Sequence, residues 1–169
     1  SYGDRNKIYD GRHVRGLAYT LDRLSRELGV LFVVPTGNLL AQDLPGNPRE
    51  RFPDYLLDEQ SRLLDPATAL NALTVGGIAS TTATLDAQRR PDAIEDLPIA
   101  IEGQPFPLTR RGPSANQAIK PDVVEEAGNL AVMRMGGRER HHGLGVLSLS
   151  GRFATGYPFA EDIGTSYAA

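Results

Sequence analysis

The 169-residue chain contains no cysteine, no tryptophan, two methionines and three histidines. Without cysteine there are no disulfides, no thiolate metal ligands and no thiol nucleophile. That absence selects no compartment, since secreted proteins can also lack cysteine. No apolar run reaches the roughly 18 residues of a membrane span, and none follows the opening S-Y-G-D-R-N-K, so no signal peptide is read there. Positive charge is not in surplus either. Eighteen Lys and Arg stand against 21 Asp and Glu, for a net charge of -3. Neither nucleic acid nor an anionic membrane has an electrostatic case as a partner. No Asp-rich run has calcium-loop spacing, no histidine and acidic constellation suits a metal, and no internal repeat is present. The glycine-rich G-G-R-E-R-H-H-G-L-G lacks the Gly-Lys-Ser/Thr ending of a phosphate loop. A nucleotide-binding reading therefore has little behind it.

What is present reads as one globular domain. Hydrophobic residues make up 40% and charged residues 23% of the chain, the proportions of a soluble protein with its own core. After Asp10-Gly11, residues Val14, Leu17, Ala18, Leu21, Leu24 and Leu28 fall at helical spacing, and Gly29 stops the helix. Val30 to Val34 is a continuous apolar run, expected as a strand covered on both faces. A turn follows at Pro35-Thr36-Gly37-Asn38, then a polar loop from Gln42 to Arg51. Asp54 is expected to cap a short helix through Leu64, and Asp65-Pro66 to start another. Leu73 to Ile78 reads as a second buried strand. Thr81 to Pro98 reads as irregular, and Leu130 to Met135 and Gly145 to Ser150 as further strands. Helices alternating with buried strands imply an α/β fold with a parallel sheet; the second half reads as strands and loops.

Two stretches have chemical potential. Pro35 to Asn38 sits at the C-terminal end of a strand, where ligand and catalytic groups gather in open α/β sheets. An asparagine there can offer its amide to a developing oxyanion, although Gly-Asn is also common turn chemistry. The last six residues, G-T-S-Y-A-A, place Ser166 among small residues at the start of a helix. The alternative there is an ordinary Thr or Ser N-cap. A serine nucleophile needs a base. His13, beside several charges, and His141 and His142, in a polar stretch, read as solvated or structural.

Taken in order, these pieces resemble the subtilisin-like serine peptidases, the subtilase family. V-L-F-V-V-P-T-G-N is similar to the family strand that ends in Gly-Asn. L-T-R-R-G-P followed by I-K-P-D-V-V is similar to its Ser-x-Arg-Gly-Pro and Lys-Pro-Asp-Val segment. G-T-S-Y-A-A is similar to its Gly-Thr-Ser-x-Ala-Ala signature. N-A-L-T-V-G-G resembles the strand after the oxyanion loop, and S-Y-G-D the Ser-x-Gly-x segment that pairs with substrate.

The resemblance implies a three-layer α/β fold with a mainly parallel sheet, incomplete at both ends, with residues 1–169 as part of a catalytic domain. It implies Ser166 as nucleophile and Asn38 as oxyanion donor. Ser1, Tyr2 and Gly3 would form one edge of the substrate groove, and Pro35, Thr36 and Gly37 the other. The substrate would be a peptide or protein. Calcium is a family possibility with no motif here.

The departures are as specific as the matches. The family order is Asp, His, Ser, and both Asp and His are expected upstream of Ser1. G-R-H-V-R-G imitates the family's Gly-Thr-His-Val-Ala-Gly, but the catalytic histidine lies three residues earlier in that motif, where this chain has Asp10. His13 is therefore rejected as the base. Glu125-Glu126-Ala127-Gly128 replaces the usual Ala-Pro-Gly turn, and Thr109 the usual serine. Residues 1–169 alone are expected to be nearly inactive and to expose a sheet edge open to self-association. A degenerate subtilase acting as a peptide-binding scaffold is the alternative.

Overall fold

The computed structural model describes residues 3–82, 96–133, 138–139 and 143–169. The expected amphipathic helix is α1, Gly16–Leu28, starting two residues after Val14. Its C-terminus closes on Gly29, in the left-handed region at φ +65°, whose N–H donates to Ser25 O at 3.0 Å. No local side chain caps its N-terminus. Instead the carboxylate of Asp65 accepts from the N–H groups of Leu17 (3.0 Å) and Ala18 (2.7 Å). Ala18 is fully buried against Val34, Ala69 and Ala72, which attaches α1 to the central sheet.

That sheet has three parallel strands in the order β2 (Val33–Pro35), β4 (Leu73–Ile78) and β6 (Val123–Glu126). The expected parallel sheet is therefore present, and the chain is α/β. β4 lies in the middle, and its residues 74–77 are buried. β2 corrects the expectation of a strand covered on both faces from Val30. Only Val33–Pro35 pairs, on one side, with β4, and Leu31 and Val33 are 67% and 47% exposed. An unbroken apolar run does not distinguish an interior strand from an edge strand.

β6 is fastened through the I-K-P-D-V-V stretch. Lys120 Nζ donates to Ala72 O (2.8 Å) and pairs with Asp122 Oδ2 (2.6 Å), and that carboxylate oxygen accepts from Thr74 N–H (2.7 Å). This ion pair, buried on the lysine side, ties the start of β6 to the start of β4.

Antiparallel pieces surround the parallel sheet. β1 (Asp4–Ile8) pairs with β3 (Leu64–Asp65). β5 (Asp96–Pro98), β7 (Ala131–Met133) and β8 (Arg138–Glu139) form a three-stranded sheet. β9 (Val146–Leu149) and β10 (Phe159–Asp162) form a hairpin. Leu73 to Ile78 and Gly145 to Ser150 were thus legible as strands, as was the part of Leu130 to Met135 that is described, Ala131–Met133; residues 134–135 lie outside the described residues. Most of the stretch read as irregular, residues 83–95, lies outside the described residues; Asp96–Pro98 at its end is a strand.

The helix expected from Asp54 to Leu64 is absent. Two 3₁₀ turns, Asp54–Leu57 and Glu59–Ser61, occupy it, with Asp58 and Arg62 extended. Pairing with residues 107–111 outcompetes the helix. Tyr55 OH donates to Pro107 O, Arg111 Nε to Leu56 O, Leu63 N–H to Arg111 O and Arg111 N–H to Ser61 O. The helix expected at Asp65-Pro66 is also absent: Asp65 ends β3 and caps α1, and a turn follows it. The main core gathers Leu39, Tyr55, Leu56, Phe106, Leu130 and Ile163.

Candidate active site

β2 delivers the chain to a turn at residues 36–38. Thr36 is fully buried: its N–H donates to Val75 O (2.9 Å), and its hydroxyl lies 3.3 Å from that of Thr109. The Thr109 hydroxyl also accepts from Gly77 N–H at 3.1 Å. The turn is thereby anchored to β4. Gly37 follows with φ +90°, and a Cβ on it would lie 2.9 Å from Leu64 Cδ1. Backbone and space both require glycine there.

Asn38 is half-buried. Its carbonyl oxygen accepts from Arg110 Nε at 3.2 Å. Arg110 Nη1 reaches Gln60 O (2.6 Å) and Arg62 O (3.0 Å). Burial holds the Arg110 pKa below its ordinary value, with Asp43 opposing the shift; a guanidinium nevertheless keeps its charge in proteins. This single cation joins the turn to the chain leading into β3.

The second half of the site descends from the β9–β10 hairpin. Gly164 N–H donates to Ala127 O (2.9 Å), at the turn where Glu125-Glu126-Ala127-Gly128 departs from the family pattern. Gly164 has φ +148°, and a Cβ on it would lie 2.9 Å from Asn38 Nδ2. Thr165 opens the short helix α2, Thr165–Ala168. Its hydroxyl is not an N-cap. Both its backbone N–H and its Oγ1 donate to Asn38 Oδ1, each at 3.0 Å.

Two donors on Oδ1 settle which end of the amide points where. Nδ2 is the end left beside Gly164, and among the described residues no acceptor takes it up. Ser166 comes next in the first turn of α2. It is exposed and lines an open cavity of about 350 Å³ with Leu17, Val34, Pro35 and Pro66. The arrangement is an exposed serine one residue after the threonine that fixes the orientation of the Asn38 amide.

The subtilase family model matches residues 1–169. The chain belongs to the subtilase family. A Sinorhizobium fredii (strain NBRC 101917 / NGR234) protein named "Uncharacterized protein y4bN" is 38% identical over 177 residues, covering 100% of this chain and 40% of that relative. The chain thus spans about two fifths of the length of the curated relative it matches. No solved structure matches the chain.

Within this subtilase chain, Asn38 and the Ser166 turn meet through Thr165. Of the expected groove residues, Gly3 is exposed, Pro35 and Thr36 are buried and Gly37 is half-buried. Ser1 and Tyr2 lie outside the described residues, as do His141 and His142. His13 lines a different cavity from Ser166, with Asp10 and Asp65. Among the described residues no group of three or more His, Asp or Glu is placed to hold a metal ion. None of their helices is long and apolar enough to cross a membrane.

Sequence reading missed three residues. Thr165 was legible only as a cap. Arg110 occupies the variable position of the Ser-x-Arg-Gly-Pro pattern, so no motif marks it. Leu64 was placed at the end of a helix that does not form.

Proposed function

We propose that the protein containing these residues is a serine endopeptidase that works through an acyl-enzyme. Ser166 Oγ attacks a peptide carbonyl carbon. Its proton passes to a histidine base, and that base returns it to the leaving amine as the C–N bond breaks. Water then hydrolyses the ester by the same route. The oxyanion formed at each stage accepts from Asn38 Nδ2 and from the Ser166 N–H. By the family order the base and its aspartate precede these residues; His13 is not taken as the base, since it lines another cavity and Asp10 stands where the family motif has its histidine. Substrate backbone runs between Gly3 and residues 35–37 and adds as a strand.

One observation carries this reading. Thr165 holds Asn38 Oδ1 with two hydrogen bonds, which presents Nδ2 beside the serine turn.

The test is a fluorogenic peptide assay on the full-length protein and its Ser166→Ala variant, with fluorophosphonate labelling of both. Activity and labelling are expected in the parent and lost in the variant. Undiminished hydrolysis by Ser166→Ala removes Ser166 as nucleophile. A folded parent that neither cleaves nor labels, yet binds peptides, is a scaffold.

A further inference from the structure

Before Ser166, the serine turn is tied down by bonds already described: Gly164 N–H to Ala127 O, and Thr165 to the Asn38 amide. After Ser166 stands Tyr167. Its hydroxyl reaches back five residues and donates to Asp162 Oδ2 at 2.8 Å. Tyr167 is 45% exposed, so packing covers only part of its side chain.

Asp162 is a firm anchor. It is the last residue of β10, opposite Val146 of β9. A Cβ on Gly145 would lie 3.0 Å from Asp162 N and 3.1 Å from Asp162 O, so the two hairpin backbones are close-packed at this point. The other carboxylate oxygen, Oδ1, accepts from Ile163 N–H at 2.8 Å, and Ile163 is buried in the main core. One carboxylate thus holds both ends of the segment that carries the serine, through the N–H of residue 163 and the hydroxyl of residue 167.

We infer that Asp162 and Tyr167 form a clasp that positions Ser166 for attack. This rests on the peptidase reading above. Tyr167 is a positioning residue, acting through the backbone of the turn. Ser166 has to meet the substrate carbonyl and present its own N–H to the oxyanion at once, and a misplacement near 1 Å costs about a hundredfold in rate. Thr165 fixes the turn against Asn38, and the clasp fixes it against the end of β10. The two side-chain anchors stand at positions 165 and 167, on either side of the serine. An ionised carboxylate as acceptor makes the Tyr167 bond stronger than one between neutral groups.

The experiment measures kcat, KM, fluorophosphonate labelling rate and urea midpoint for the full-length protein, Tyr167→Phe, Asp162→Ala, Asp162→Asn and the double variant Tyr167→Phe/Asp162→Ala. Tyr167→Phe is expected to lower kcat and labelling rate together by about 3–10-fold, the worth of one hydrogen bond, with KM nearly unchanged. Asp162→Ala should lose at least as much, and Asp162→Asn, which keeps an acceptor oxygen, should recover part of it. Because the two groups act as one, the double variant should lose little beyond Asp162→Ala. A bond that serves only the fold would move the urea midpoint and leave kcat and labelling of folded Tyr167→Phe within about twofold of the parent. That result overturns the inference and leaves the peptidase reading standing, as do losses that multiply in the double variant. If the Asp162 variants do not fold, Tyr167→Phe decides alone, since it removes one oxygen from a partly exposed side chain. A folded parent that neither cleaves nor labels overturns both readings together.

Discussion

Thr165 and Asn38, 127 residues apart in sequence, meet through two hydrogen bonds to a single oxygen. The Thr165 N–H and Oγ1 each donate to Asn38 Oδ1 at 3.0 Å. Losing the hydroxyl leaves only the backbone bond to hold the amide. Thr165→Val in the full-length protein should lower kcat by about 2–10-fold with KM nearly unchanged, the worth of one hydrogen bond. Thr165→Ser should retain most of kcat. Equal losses in the two variants would reject the positioning role of the hydroxyl.

Asn38 itself is expected to matter more. Removing one oxyanion donor costs about 10²–10³ in kcat, a figure measured on the asparagine of subtilisin. Asn38→Ala should therefore fall in that range, and Asn38→Asp at least as far, because a carboxylate repels the developing negative charge. Steady-state kinetics of both variants decide it. A drop of less than threefold in Asn38→Ala would remove Asn38 from the reaction.

Gly164 leaves room for no side chain. A Cβ would come within 2.9 Å of Asn38 Nδ2, at a backbone φ of +148° that L-residues rarely adopt. Gly164→Ala must displace either the amide or the serine turn. A misplacement near 1 Å costs about a hundredfold in rate, so kcat should fall by that order while circular dichroism stays close to the parent. Near-parental turnover would show that the amide and the turn need not stay this close.

Much of this was written locally, and the rest was not. Residues 16–28 announce a helix by their apolar spacing, and Leu73 to Ile78 announces a strand, because each element carries its own period. Gly37-Asn38 and Gly164-Thr165-Ser166 carry the site in two short stretches. What joins them does not show in any window of sequence. Asp65 looked like the start of the next helix because Asp-Pro is a local start signal, yet its carboxylate caps a helix 48 residues upstream. Asp54 looked like the cap of a short helix through Leu64, but bonds to residues 107–111 were worth more than a short helix alone. Propensity is a weak prior once tertiary partners compete. Arg110 was invisible for a related reason: its partners are backbone carbonyls, which every residue possesses.

Those carbonyls give Arg110 its weight. Arg110 is 4% exposed, and its guanidinium serves Asn38 O, Gln60 O and Arg62 O. Arg110→Met keeps much of the apolar stem and strands the carbonyls. Leaving a buried acceptor unsatisfied costs about 1–3 kcal/mol, and urea denaturation should show a loss of at least that size. Arg110→Lys restores one donor position but not the fork, so it should recover only part. Full stability in Arg110→Met would mean that water replaces the guanidinium without penalty.

Asp65 offers a test of the fold that does not depend on activity. Its two carboxylate oxygens take the N–H groups of Leu17 and Ala18 at the start of α1, where the adjoining Arg15 provides no side-chain cap. Replacing a capping aspartate by alanine costs about 0.5–2 kcal/mol, and the negative charge at the helix N-terminus adds to that. Asp65→Ala should thus lose stability toward the upper end of the range. Asp65→Asn keeps one acceptor oxygen but loses the charge and the second acceptor, so it should fall between the two. Hydrogen exchange at the Leu17 and Ala18 amides localises the effect, with faster exchange in Asp65→Ala than in Asp65→Asn. If exchange there is unchanged while the protein loses stability, the cap contributes nothing measurable and the loss has another origin.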